Sequence, residues 1–81
     1  MAKDYDWHRW SDMLPEVNAD GCSDFVEVCF MRCYPKIACW NTNHNHPHWM
    51  TNSFDPLFKK GDLKIIGKDR VWWRYIDFPQ E

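Results

Sequence analysis

The sequence predicts a mainly β domain, a compact antiparallel sheet of two hairpins with at most one short helix; a small α+β arrangement is the alternative. Three observations carry this reading. Segments 25–33 and 71–76 alternate between faces at period two and are rich in β-branched and aromatic residues. Turn-forming Gly, Pro, Asn and Asp separate the apolar stretches. Aromatic residues make up 17% of the chain, with six tryptophans. Each large aromatic can bury about 150–250 Å², enough to supply a core at a size where aliphatics alone would struggle. Such aromatic content argues against disorder, and 81 residues hold one domain, 1–81.

Taken in order, the segment Trp7-His8-Arg9-Trp10-Ser11-Asp12-Met13-Leu14 is stopped by Pro15, and residues 18–23, with Gly21, read as a turn. In 25–33, Val26, Val28 and Phe30 share one face and Glu27, Cys29 and Met31 the other. Tyr34-Pro35 fits a tight turn, because proline presets the backbone for its second position. Lys36-Ile37-Ala38-Cys39-Trp40 then reads as the returning strand. Residues 41–48 are polar and broken by Pro47, hence a loop, and Trp49-Met50 begin a short strand. The run from Asp55-Pro56 to Gly61 carries a short-helix signature: capping Asp, Pro at the first position, Gly after the end. Leu63-Lys64-Ile65-Ile66, a turn at Gly67-Lys68-Asp69, and 71–76 read as a second hairpin. Its last strand sends Val71, Trp73 and Tyr75 one way and Trp72, Arg74 and Ile76 the other.

A net charge of −2 and a pI near 6.0 argue against general nucleic-acid binding. The charge is nevertheless uneven. Residues 1–30 hold two bases against seven acids, and 59–74 hold six bases against two acids. Such polarity either steers a partner or is neutralised across the fold. No apolar run approaches the roughly 20 residues that span a bilayer, and Met1-Ala2-Lys3-Asp4 begins no secretory stretch. A soluble intracellular protein with reduced thiols is therefore expected. On one strand Cys29 and Cys33 would stand about 13 Å apart at roughly 3.3 Å per residue, beyond the reach of about 7 Å that a disulfide allows. Cys29 with Cys39 across the hairpin is the easy pairing; free thiols are the default.

His44, His46 and His48 alternate along one loop and form a candidate zinc site, with Cys33 or Cys39 approaching from the hairpin. Against this stand the absence of a Cys-x-x-Cys pair and the ordinary solvation of loop histidines. No other cofactor is expected. Nucleophilic catalysis requires a thiolate held beside an oriented base, which nothing here predicts. The three glycines are isolated and offer no phosphate-cradling loop. The expectation is that the chain is not an enzyme. Bases in 59–74 interleave with Trp72, Trp73 and Tyr75, a pattern able to stack single-stranded bases. The competing reading puts Trp73 and Tyr75 in the core and Trp72 on the other sheet face. Six tryptophans are hard to bury in so small a domain, and exposed Trp and Arg are typical interface anchors. Trp10, Trp49 and Trp72, with Arg74, are thus the candidate partner-binding residues.

The two ends carry a resemblance. The opening Trp7-x6-Leu14-Pro15, with Trp10 three after the first Trp and Asp12 two before Leu14, resembles the W-I-S-V-x-[DE]-x-L-P opening of a short phage and prophage family of unknown function. The ending Trp72-Trp73-Arg74-Tyr75-Ile76-Asp77-Phe78-Pro79 is similar to that family's [VI]-T-H-W-M-P-L-P, with Arg74 in place of its His and Tyr75 in place of its Trp. The resemblance implies a small bacteriophage accessory protein in the host cytoplasm, binding and inhibiting or redirecting a host protein or defence complex. A zinc- or nucleic-acid-binding module is the alternative.

Overall fold

In the computed structural model, which describes residues 5–43, 46–59 and 61–77, the alternating segments form one five-stranded sheet in the order β1-β5-β2-β3-β4. The strands are β1 (His8–Arg9), β2 (Val26–Phe30), β3 (Lys36–Asn41), β4 (His48–Thr51) and β5 (Val71–Tyr75), with a helix α1 (Asp62–Ile66) and a 3-10 turn (Lys68–Arg70) before β5. Every strand pairing is antiparallel. The fold is mainly β, as the alternation predicts. No helix among the described residues is long and apolar enough to cross a membrane.

The first hairpin forms, β2 against β3, with Val26 opposite Ala38 and Val28 opposite Lys36. Its reversal comes earlier than Tyr34-Pro35. Met31 and Arg32 both take left-handed backbone, with φ of 53° and 55°, and the Cys33 amide donates to the Phe30 carbonyl at 3.0 Å. Asn-Gly is the usual pair for two such residues, and L side chains there cost roughly 1–2 kcal/mol per residue. The Cys29 thiol, donating to the Cys33 carbonyl at 3.2 Å, helps hold the turn.

The second expected hairpin does not form. Instead β4 pairs with β3, Trp40 opposite Trp49, and β5 inserts between β1 and β2. Residues 63–66 are β-formers by type, yet they coil. The Asp62 carboxylate accepts the Lys59 amide at 2.8 Å at the start, and the Gly67 amide closes on the Leu63 carbonyl at 2.9 Å at the end. Leu63 and Ile66, three apart, thereby turn one face to the core. The helix expected from Asp55-Pro56 is also absent. The Asp55 carbonyl accepts the Thr51 amide at 2.8 Å and the Leu57 amide donates to Trp49 at 2.9 Å. This tethers the segment to β4 and delivers Leu57 and Phe58 to the core.

The inner face of the sheet is fully buried at Val26, Val28, Val71 and Trp73. Trp10, Trp40 and Trp49 meet edge to face, with centroid separations of 5.5, 5.9 and 5.2 Å, the geometry that aromatic quadrupoles favour. Phe58 stacks on Trp10 at 6.2 Å, and the Lys68 ammonium lies 5.1 Å above the same indole.

Ser23 locks the approach to β2. It is buried, its hydroxyl donates to the Asp24 carbonyl at 2.8 Å, and it accepts the Trp40 amide at 2.8 Å. Ser23→Ala leaves that buried amide without its acceptor, so stability should fall by about 1–3 kcal/mol, read as a lower urea midpoint at unchanged slope. A midpoint equal to wild type would assign the amide another acceptor.

Candidate partner-binding face

Alternation along β5 gives adjacent tryptophans opposite fates: Trp73 is 0% exposed and Trp72 36%. The same period sends Arg74 to the outer side. Antiparallel pairing sets Cys29 beside Trp72 and Glu27 beside Arg74 on β2, and Arg9 beside Trp72 on β1.

The outer side chains interlock. The Arg9 guanidinium carbon lies 4.7 Å from the Trp72 ring centroid, and that of Arg74 lies 4.8 Å from the Trp7 ring. Both separations fall within cation–π range. Arg74 also donates through Nε to Glu27 Oε2 at 2.5 Å. Each tryptophan is thus steadied by a guanidinium without being buried, which reduces the side-chain entropy that ordering it in a complex would cost. Ile37, opposite Glu27 on β3, extends the exposed apolar surface.

Two of the four sequence candidates, Trp72 and Arg74, stand on this face. Trp10 and Trp49 do not, and the expectation that they are exposed is corrected: they are 7% and 1% exposed, inside the three-tryptophan cluster. Trp49 is drawn inward by pairing with Trp40, and Trp10 because its amide bonds the Val71 carbonyl at 2.8 Å and carries its ring over the core. Trp7 and Arg9 complete the face and were not singled out as contact residues. Their signal is the spacing of two across the inward-facing His8.

Of the three histidine candidates, His44 lies outside the described residues. His46 is exposed, and His48 Nδ1 lies 3.1 Å from the His46 carbonyl. Among the described residues no group of three His, Cys, Asp or Glu side chains is placed to hold a metal ion. The four cysteines are free thiols. The β2–β3 register puts Cys39 level with Phe25, four residues along from Cys29, so that pair is about 13 Å apart at roughly 3.3 Å per residue and cannot bond. Cys39 instead neighbours Cys22, whose segment bridges to Asn41. Burial pushes the Cys39 thiol up, and Cys22 beside it adds to the shift, so Cys39 stays protonated and unreactive at neutral pH.

No protein-family model, curated protein or solved structure matches this chain.

Proposed function

We propose that the chain is a non-enzymatic protein-binding module. Its outer sheet face engages a protein of a bacterial host and inhibits or redirects it, in keeping with the resemblance of its two ends to phage accessory proteins. The observation that carries this reading is the pair of arginine–tryptophan stacks, Arg9 with Trp72 and Arg74 with Trp7, on the outer face of the sheet. Trp and Arg dominate binding hot spots, and the role requires no catalytic group.

The test is affinity capture from bacterial lysate in moderate and high salt, with and without nuclease, using wild type and Trp72→Ala. Trp72 lies off the core, so the variant should fold. A single protein recovered in both salts by wild type, unaffected by nuclease and lost with Trp72→Ala, is the expected result. Truncating a central tryptophan typically weakens an interface by more than about 30-fold, or 2 kcal/mol. Recovery of nucleic acid alone, or of proteins that vanish after nuclease, would replace this reading with phosphate binding.

A further inference from the structure

At the end of the outer face, between the β2–β3 turn and α1, lies an open groove of about 700 Å³. Arg9, Arg32 and Arg70 line it together with Trp72, Met31 and Ile65. One carboxylate, Asp69, stands among them. Arg74 forms its ion pair with Glu27, away from this groove, and no ion pair joins Arg9, Arg32 or Arg70 to a carboxylate among the described residues. Arg9 Nε is shielded from solvent and has no hydrogen-bond partner among the described residues. The rim is strongly apolar: Met31 is 65% exposed and Ile65 77%.

The turn supplies a second, independent observation. Met31 and Arg32 occupy consecutive left-handed positions, where Asn-Gly would sit without strain. Residues held in such conformations cluster at active sites, ligand clamps and switch regions. Both of these residues line the groove.

We infer that this groove binds an acidic segment of the protein partner, one large apolar side chain settling on Met31, Ile65 and Trp72 while flanking carboxylates pair with Arg9, Arg32 and Arg70. This rests on the protein-binding reading and narrows it. Guanidinium groups grip carboxylates with two parallel hydrogen bonds, and three of them against one acid give the groove the complementary charge. The remaining lining favours protein over nucleic acid. Trp72 already has Arg9 against its ring, and Met31 and Ile65 offer no aromatic plane for a base to stack on. The chain's net charge of −2 would also repel a polyanion running beyond the groove.

The experiment is selection of short random peptides displayed on particles against the intact protein, followed by fluorescence anisotropy with the recovered peptides. Peptides carrying Asp or Glu beside Leu, Ile, Phe or Trp are expected. Arg32→Ala and Arg70→Ala should each weaken them by about tenfold. A Met31→Asn, Arg32→Gly double variant relieves the turn and removes both side chains. It should unfold at higher temperature than wild type yet lose the same peptides, so lost binding cannot be blamed on lost structure. Selected peptides without acidic residues, or acidic peptides indifferent to Arg32 and Arg70, would overturn the inference. Peptides sensitive to Trp7→Ala but not to Arg70→Ala would overturn the groove and leave the protein-binding reading standing. No selected peptide, with oligo-dT bound and released by Arg70→Ala, would overturn both.

Discussion

Replacing Trp73 with alanine should unfold the domain. The residue sits on β5, between β1 and β2, and is fully buried. Its ring packs 5.0 Å from both His8 and Tyr75, and its Nε1 donates to the Met13 carbonyl at 2.8 Å. That bond ties the segment after β1 to the core across 60 positions of sequence. Truncating a buried Trp to Ala costs about 3–5 kcal/mol, and the abandoned carbonyl adds about 1 kcal/mol or more. At about 0.05–0.15 kcal/mol per residue, 81 residues hold roughly 4–12 kcal/mol in all. The expected result is loss of the cooperative urea transition in circular dichroism, or a midpoint close to zero denaturant. Retention of a midpoint within about 1 kcal/mol of wild type would show that Trp73 is not what joins the strands.

Trp49 gives the second large effect, with an opposite response to conservative change. Trp49→Ala opens a cavity amid Trp10 and Trp40 and should also cost about 3–5 kcal/mol. Its indole N–H, however, is buried with no hydrogen-bond partner among the described residues. A buried donor left unpaired costs about 1–3 kcal/mol. Trp49→Phe deletes that donor while keeping an aromatic ring, so the lost packing and the relieved desolvation offset one another. Trp73→Phe gives up a formed bond and has no such compensation. Phenylalanine should therefore be tolerated better at 49 than at 73, measured as urea midpoints of the two variants side by side. The reverse order would mean that the Trp49 N–H is satisfied.

What the sequence reveals about this fold is local. The alternation in Val26-Glu27-Val28 and Val71-Trp72-Trp73-Arg74-Tyr75 is written residue by residue, so both strands and the opposite faces of Trp72 and Trp73 follow from it. Strand partners are not written that way. Leu63–Ile66 has the composition of a strand, and only the location of the core decides that Leu63 and Ile66 must share a helical face. Likewise, nothing near Trp49 announces that Trp40 will stand opposite it, or near Trp10 that Val71 will hold its amide. Exposure was legible for Trp72 because its neighbour Trp73 competes for the core. It was not legible for isolated tryptophans, whose side of the sheet is set by distant pairings. Arg9 belongs to the same class, since it reaches Trp72 only after the first and last strands meet.

The strand order has a consequence for how the protein comes into being. β5 is the last strand in sequence, yet it lies second in the sheet, between β1 and β2. On a ribosome, β2, β3 and β4 emerge as a contiguous meander that can pair at once. The side of β2 meant for β5 has no strand to receive, and Val26 and Val28 lack their cross-strand neighbours Tyr75 and Trp73. A newborn chain therefore presents an open, apolar strand edge until β5 has emerged and docked, the kind of edge that other chains extend into aggregates. Slow docking of β5 would lengthen the exposure, and chaperone capture would be concentrated in that interval.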